Sequence, residues 1–353
     1  MRGNMGVDTA VTQFLIPFLG LLAGASAGPE AVAPRRCWPT TYAVDGARAH
    51  IRLHGVSLAI EASIPGSTLL AEGILWDSAR SRYLVSGIQG IFSMEPGGRV
   101  ARLSLAQLNG RAVLGLSLDP GRDKVWAIAS ATPQTPNVLR DKIGQSAVIS
   151  MSRKGGRLLA EYALPGTDQW YGDLAVAANG SVYVGNPRTG RLYVIRPGAK
   201  RAELMIVSGL VQSPQGMFAH PDGKRLFIAD YRSGLMVLDL KRSTASAIPA
   251  PPDAKLQGID GIVAAGRDII ALQNGLSPFR ILRLRMNPSY SRIEAVSVLA
   301  EFESREGLDV IEPTLGTLAG GDVVFVARTP WDKWSSPEPN RLQTLVARLC
   351  LAK

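Results

Sequence analysis

Cysteine and histidine are the scarcest of the chemically reactive residues in this chain of 353 residues, with two cysteines and three histidines. So few cysteines exclude a disulfide-rich scaffold, and a Cys/His zinc module would need at least four such ligands in one place. His50, His54 and His220 are the only histidines, and His220 belongs to the turn at the far end of its strand, so we expect no catalytic histidine pair. Aromatic residues make up only 6% of the chain, and helical periodicity is nearly absent after residue 50.

Long hydrophobic runs are also missing, apart from one near the start. Residues 14–25 form an apolar run of about a dozen residues, which ends in the small residues Ala25-Ser26-Ala27. This pattern predicts a signal peptide over residues 1–27 and export to the periplasm or outside the cell; a buried N-terminal segment is the alternative. No later run reaches the roughly 18 apolar residues that a membrane helix needs, so we expect no membrane span.

The charge is basic but evenly spread. The formal net charge is +10, carried partly by doublets such as Arg35-Arg36, Lys200-Arg201 and Lys241-Arg242. Nucleic-acid binders concentrate such charge with interleaved aromatic residues, so we expect a solvated basic surface and no nucleic-acid partner.

After residue 50 the chain is a series of short β-rich segments separated by Gly, Pro, Asn and Asp turns, which is typical of an all-β protein. The segments are copies of one strand-turn-strand unit, repeated at intervals of about 40 to 60 residues. The six copies begin at Glu72, Gly115, Asp173, Gln215, Asp260 and Thr314. Six four-stranded units predict a six-bladed β-propeller over residues 51–353, preceded by an N-terminal extension, 28–50. Residues 51–64 are predicted to supply the outer strand of the last blade and so close the ring.

The first residues of the six units are predicted to meet around the mouth of the central channel, because the innermost strands of a propeller line that channel. Glu72, Asp173, Gln215 and Asp260 would place three carboxylates and an amide there. Unpaired carboxylates in a confined site are costly, and oxygen donors of this kind suit calcium. The ring therefore predicts a metal site; the alternative is ordinary turn residues that precede strands.

The repeat motifs resemble the regucalcin, gluconolactonase and luciferin-regenerating-enzyme family over the whole propeller. The resemblance is carried by Glu72-Gly73, by Pro214-Gln215-Gly216 with the following 221–224 turn, and by Asp260-Gly261. It implies that Glu72, Gln215 and Asp260 are metal ligands and that Asp173 contacts metal or substrate. The family usually has Asn at the position of Gln215, whose longer side chain would move the amide oxygen.

Paraoxonases are more distantly similar, and in them a disulfide joins the two ends of the ring. Cys37 and Cys350 bracket the predicted propeller, so the same bridge is expected here. Two unrelated thiols are the alternative.

If the chain is an enzyme, the resemblance implies hydrolysis of lactones or related esters with a divalent cation, most simply Ca²⁺, and Asp260 is the candidate base. Trp170 and Tyr171 are candidates for a substrate wall or for simple packing. Asn186, Asp230 and Asn274 end the second strands of their blades and are candidate substrate-binding or supporting residues; the alternative is that they begin the next turn. The second functional hypothesis is a non-catalytic propeller that binds a small ligand or a partner through the same face. The oligomeric state is left open.

Overall fold

The computed structural model describes residues 51–103, 108, 110–135, 138–166, 171–206, 211–303, 311–330 and 343–351, with the backbone of 43–44 and 47–48. The predicted signal peptide, most of the 28–50 extension, Cys37 and Trp170 lie outside these residues. Within them, no helix is long and apolar enough to cross a membrane.

The described chain is almost entirely antiparallel β-structure. A short hairpin of β1 (Ala43–Val44) and β2 (Ala47–Arg48) is followed by β3 (Ile51–Leu53), β4 (Ser57–Pro65) and then six sheets in sequence order. The six sheets are the blades of a β-propeller, which confirms the predicted fold class.

Blades I to III each contain four consecutive strands. Blade I is β5 (Ala71–Asp77), β6 (Arg82–Gly87), β7 (Gly90–Met94) and β8 (Val100–Arg102). Blade II is β9 (Ala112–Asp119), β10 (Lys124–Ser130), β11 (Ser146–Ser152) and β12 (Leu158–Ala163). Blade III is β13 (Leu174–Val176), β14 (Val182–Gly185), β15 (Leu192–Ile195) and β16 (Glu203–Ile206).

Blades IV to VI continue the pattern, and the last two recruit N-terminal strands. Blade IV is β17 (Pro214–Ala219), β18 (Arg225–Asp230), β19 (Gly234–Asp239) and β20 (Thr244–Ala247). Blade V is β21 (Ile259–Ala265), β22 (Asp268–Gln273), β23 (Phe279–Met286) and β24 (Ile293–Phe302), with β3 on its edge. Blade VI is β25 (Gly316–Ala319), β26 (Asp322–Arg328) and β27 (Gln343–Cys350), with β4 outermost.

The burial pattern follows from this stacking of sheets. The second strand of a blade is covered on both faces, so β10 is almost uniformly buried and carries apolar residues at successive positions. The outer strand β12 instead alternates between half-buried and exposed residues, since only one of its faces is covered. The six predicted repeat units are therefore the two inner strands of the six blades.

Ring closure is achieved by β4, which pairs with β27 from Pro65↔Gln343 to Ser57↔Cys350. The prediction that residues 51–64 close the ring is thus confirmed for β4, but β3 joins β24 of blade V instead. Gly55, with φ at +68°, lies between the two strands and lets the chain pass from one blade to the next. The N-terminal segment consequently ties blades V and VI together.

A buried ionic cluster also fixes the closing strand. Arg348 Nε donates to Glu61 Oε2 at 3.1 Å, and its Nη2 donates to the Tyr83 hydroxyl at 2.7 Å. Glu61 is on β4, Arg348 on β27 and Tyr83 on blade I, so one guanidinium connects both sides of the ring closure. Cys350 ends β27, and its bridge to Cys37 stays a prediction because Cys37 is outside the described residues.

The antiparallel order defines two faces of the propeller. The innermost strand of every blade starts at one face, which we call the mouth face, together with the loops that connect second to third strands. The other face, which we call the opposite face, carries two kinds of turn. One kind joins the first and second strands of a blade, as between β13 and β14, and the other joins the third and outer strands.

Candidate functional site at the channel mouth

The predicted ring positions are neighbours around the mouth of the channel. Gly115 N–H donates a 2.9 Å hydrogen bond to Gly172 O, which joins blades II and III next to Asp173. Thr314 Oγ1 donates to the Glu72 carbonyl at 3.3 Å and joins blades VI and I. The starts of the inner strands therefore contact one another from blade to blade, as the repeat alignment requires.

Asp173 is held in place by its two neighbouring blades. Its Oδ2 accepts a 3.1 Å hydrogen bond from the Met217 backbone N–H of blade IV. On the blade II side, a Cβ atom added to Gly115 would lie only 2.4 Å from Asp173 Oδ1. Glycine at position 115 is therefore what lets this carboxylate lie against blade II.

Burial raises the pKa of Asp173 to about 7; backbone hydrogen bonds from Leu174 and Met217 oppose this, and the charge of Asp260 adds to it. Asp173 also lines a cavity of about 70 Å³, together with Ser117 and with apolar side chains that include Leu116, Met217 and Ile262. This space is too small for the organic ligands that ordinary binding pockets hold.

Asp260 is part of a hydrogen-bonded chain of three side chains. Asn274 Nδ2 donates to Asp260 Oδ2 at 2.8 Å, and the Tyr231 hydroxyl donates to Asn274 Oδ1 at 3.1 Å. Burial raises the pKa of Asp260 to about 6; the Asn274 hydrogen bond lowers it and the charge of Glu312 raises it. Burial, with the charges of Asp260 and Glu312, also raises the pKa of Tyr231 to about 12, so this hydroxyl keeps its proton at neutral pH.

Gln215 brings an amide oxygen to the same place. Its Oε1 would lie 3.3 Å from a Cβ atom at Gly172, so it is adjacent to Asp173. Within the described residues its side chain makes no hydrogen bond, and Asp173 and Asp260 form no ion pair with a basic side chain. Two desolvated carboxylates and an uncommitted amide oxygen are suited by charge and donor type to a hard cation.

The full set of predicted metal ligands is not assembled as one acidic cluster. Among the described residues, no three Asp, Glu, His or Cys side chains lie close enough together to hold a metal ion. Asp173, Asp260 and Gln215 therefore fit a cation as a partial set of donors, and Glu72 does not complete a group of three carboxylates with them. The cation and its four predicted ligands stay predictions.

Asn186 and Asp230 are fully buried and hold turns. Asn186 Oδ1 accepts from the backbone N–H groups of Arg188 and Thr189, at 3.0 and 3.2 Å. Asp230 Oδ1 accepts from Arg232 N at 3.1 Å and its Oδ2 from Gln212 N at 2.6 Å. These contacts favour the turn alternative for both residues over contact with a substrate.

Asn274 lies one residue beyond the position in blade V that is equivalent to Asn186 and Asp230 in their blades. The residue that corresponds to Asp230 in blade V is Gln273, the fully buried last residue of β22. Gln273 Nε2 donates to the carbonyl oxygens of Lys255 and Gln257, at 2.9 and 2.6 Å, and so holds the connection into the blade. Asn274, one residue further on, is thereby free to turn towards Asp260.

Tyr171 is packed in the core of the described structure. It is 1% exposed, and its ring packs edge-on against Tyr193 with centroids 5.8 Å apart. Its hydroxyl donates to Pro165 O at 3.1 Å, and burial raises its pKa. The packing alternative therefore holds for Tyr171, and Trp170 is outside the described residues.

Glu312 and Tyr231 are the site residues that sequence reasoning missed. Glu312 is exposed and close enough to Asp260 and Tyr231 for its charge to raise the pKa of both. A signal was present for each, since Glu312 stands two residues before the ring position Thr314 and Tyr231 directly follows Asp230. Neither position repeats from blade to blade, so the alignment of repeats gave no reason to select them.

Comparison with known proteins finds the fold but no close relative. No protein-family profile matches the sequence, and no curated protein does. Solved structures do match, and three of them are described here. Regucalcin from Agrobacterium tumefaciens, described as a calcium-binding protein, is 15% identical with a TM-score of 0.53, covering 84% of this chain and 93% of that chain.

Two further solved structures carry the same fold. A luciferin-regenerating enzyme is 12% identical with a TM-score of 0.55, over 84% of this chain and 96% of that chain. A candidate gluconolactonase is 13% identical with a TM-score of 0.53, over 84% of this chain and 92% of that chain. The six-bladed propeller of the family that the repeat motifs resemble is thus also the fold of this chain, and identities this low show the fold alone.

Proposed function

We propose that this chain is a hydrolase of lactones or related esters that acts at the channel mouth with a divalent cation, Ca²⁺ by donor type. The observation that carries the proposal is the pair Asp173 and Asp260, two carboxylates whose pKa burial raises and which have no basic partner among the described residues. The solved structures with this fold include the candidate gluconolactonase, which supports a lactone or ester as the substrate class.

Asp260 is the residue we assign to proton transfer. One of its oxygens, Oδ2, is occupied by the Asn274 amide at 2.8 Å, which fixes the plane of the carboxylate. The other oxygen has no hydrogen-bond partner within the described residues and is therefore available to accept a proton from an attacking water. In the cation-free chain burial raises the pKa of Asp260 to about 6, which makes it a stronger base than an ordinary aspartate while it stays mostly ionised at neutral pH.

Asp173, Asp260, Gln215 and Glu72 are the residues that would hold the cation. A bound divalent cation supplies Lewis-acid polarisation of the ester carbonyl and stabilises the developing negative charge. Asp173 contributes a fixed orientation, because Met217 N–H holds its Oδ2 and its Oδ1 lies against the backbone of Gly115 in blade II.

Export to the periplasm or the cell exterior is part of the proposal. It accords with the small-residue cleavage pattern at residues 25–27 and with a Cys37–Cys350 bridge, which would persist in an oxidising compartment.

The test is hydrolysis of a panel of γ- and δ-lactones and aryl esters by the purified chain, with added Ca²⁺ and then with chelator. Asp260→Asn keeps the size of the side chain and removes the base, so turnover is expected to fall at least 100-fold, within the range typical of general-base catalysis. Asp253→Asn is the matched control, because Asp253 is an exposed aspartate in the connection that leads into the same blade. Equal turnover by the Asp260 variant and the wild type would refute the assignment.

A ligand-binding propeller without turnover is the second candidate. The observation that favours it is the lack of a three-acid metal cluster among the described residues. A saturable, cation-dependent binding signal with no hydrolysis of any member of the panel would support this second function over the first.

A further inference from the structure

A second pocket lies on the opposite face of the propeller, between blades III and IV. Its volume is about 520 Å³, within the range of small-molecule sites. Four turns form it: β13–β14 and β15–β16 on one side, β17–β18 and β19–β20 on the other. Because every inner strand starts at the mouth face and these turns lie at the other ends of the strands, this pocket is separate from the candidate site at the channel mouth.

The charge of this pocket is positive. Lys224 and Lys241 line it from blade IV and Arg196 lines it from blade III. Leu240 N–H donates to Lys224 O at 2.9 Å, which joins the two turns that carry the lysines. Neither lysine forms an ion pair with any described residue, whereas the Arg196 guanidinium is paired with Glu203.

No acidic side chain lines the pocket in the described part of the chain. The nearest aspartates in sequence already have partners. Asp222 accepts from Arg225 Nε at 2.8 Å, and Asp239 accepts from Arg242 Nη1 at 2.8 Å. Both lysines are exposed, so an anion that binds in this pocket meets two available cationic groups and no lining carboxylate that competes for them.

The remaining walls supply apolar surface and hydroxyl groups. Met205 and Leu240 provide the apolar part, and Ser181, Ser243 and Tyr183 provide the hydroxyl groups. This mixture fits an organic anion better than an inorganic one, since a purely inorganic ion would leave the apolar walls in contact with water.

The blade III side of the pocket is rigid before any ligand binds. Arg122 of blade II donates to the Asn179 carbonyl at 2.7 Å and pairs with Asp119 at 3.1 Å. Asn179 Oδ1 in turn accepts from Ser181 N–H at 2.9 Å, which closes the β13–β14 turn. A wall already fixed by such contacts loses little conformational entropy on binding.

We propose that this pocket binds a small organic anion, with its carboxylate or phosphate group between Lys224 and Lys241 and its apolar part against Met205 and Leu240. The site is distinct from the proposed catalytic mouth. It would hold a regulatory or second ligand, and no covalent step is involved.

Isothermal titration calorimetry with phenyl phosphate, benzoate and the uncharged benzyl alcohol tests the proposal, on the intact mature chain with chelator present. Saturable binding of at least one anion and none of the alcohol is expected, and the preferred anion then identifies the head group. The double variant Lys224→Gln, Lys241→Gln is expected to weaken that binding by at least about tenfold, since it removes two charged hydrogen-bond donors to the anion.

Lys154→Gln is the matched control. Lys154 is an exposed lysine in the β11–β12 turn on the same face, outside the pocket, so its variant should bind the anion like the wild type. The variants change exposed side chains, and an unchanged thermal midpoint verifies their fold. No saturable binding of either anion, equal binding of the alcohol, or equal affinity in the double variant and the wild type would each overturn the proposal. We expect the Asp260→Asn variant, which changes the channel mouth, to bind the anion like the wild type. That result would show that the anion does not bind at the mouth.

Discussion

The side-chain amide of Asn274 lies between Asp260 and Tyr231, donating to Asp260 Oδ2 at 2.8 Å and accepting from the Tyr231 hydroxyl at 3.1 Å. An ionised carboxylate only accepts hydrogen bonds, so Asn274 must turn its NH₂ group to Asp260 and its oxygen to Tyr231. Tyr231 therefore orients the base through Asn274, without contacting it.

Tyr231→Phe removes the donor that fixes Asn274. We expect turnover to fall by about fivefold, the equivalent of a net hydrogen bond of about 1 kcal/mol. Asn274→Ala removes the donor to Asp260 itself and should also move the acidic limb of the pH–rate profile to higher pH, because Asn274 lowers the pKa of Asp260. A purely structural role would leave that limb in place.

Tyr290→Phe is the control for the tyrosine variant. Its hydroxyl donates a 2.5 Å hydrogen bond to Gly266 O on the opposite face, so the change removes a comparable contact far from the mouth. Turnover should be unchanged. Equal losses in the two tyrosine variants would contradict the assignment of Tyr231.

The stability of the metal-free protein should depend on pH through Asp173. Its pKa is raised from 3.8 to about 7 in the folded chain, so the folded state binds the proton more tightly than the unfolded state. The associated stability is fully present below pH 3.8 and is lost as the pH rises to about 7. Asp173→Asn removes the charge and should therefore raise the free energy of unfolding relative to wild type at pH 8, by up to a few kcal/mol.

Urea unfolding in chelator at pH 5 and pH 8 measures this difference. The advantage of the Asn variant should grow from pH 5 to pH 8 and should shrink when Ca²⁺ replaces the chelator, because the cation compensates the wild-type carboxylate. A constant difference between the two pH values would show that Asp173 is an ordinary solvated aspartate.

Glu61→Gln should destabilise the ring closure. The change leaves the buried Arg348 with Asp322, 3.3 Å away, as its remaining carboxylate partner among the described residues. Loss of all partners of a buried charge costs about 3–5 kcal/mol, so a smaller loss than this is expected. Thermal unfolding measures the effect. Glu95→Gln is the matched control, since the exposed Glu95–Arg99 pair at 2.6 Å should contribute less than about 1 kcal/mol. Similar midpoints for the two variants would contradict the closing role of the cluster.

Gly115→Ala tests whether the fit between blades II and III positions Asp173. The new Cβ would approach Asp173 Oδ1 to 2.4 Å, so Asp173 must move, and overpacking of this kind costs about 1–3 kcal/mol. Cation affinity should fall with it. Gly121→Ala in the same blade meets its nearest neighbouring atom only at 4.0 Å and should behave as wild type. If both variants bound the cation as tightly as the wild type, the position of Asp173 would not matter for cation binding.

The architecture was predictable because it depends on a pattern repeated six times. Alternation of short β-rich segments with Gly and Asp turns locates the two inner strands of every blade, and the ring at the mouth follows from that register. The pairing of β3 with blade V was not predictable. This strand has only three residues, Ile51–Leu53, and so short a segment does not indicate which sheet edge it joins.

The chemical details of the site were harder to predict because they depend on single positions. Asn274 was aligned with Asp230, although Gln273 has that structural role and Asn274 points to Asp260. The sequence was equally compatible with Tyr171 as part of a substrate wall and as a packing residue. Its burial against Tyr193 favours the packing role. The charge of Glu312 raises the pKa of Asp260 from another part of the chain. The local sequence does not show which residues of different blades lie close together.

The most direct test of the account is metal analysis of the purified mature chain, combined with lactone and aryl-ester hydrolysis before and after chelation. The account predicts one divalent cation per chain, hydrolysis that is lost on chelation and restored by Ca²⁺, and loss of the cation in Asp260→Ala. A chain that binds no cation, or whose Asp260→Ala variant retains the cation in full, would contradict the proposed site.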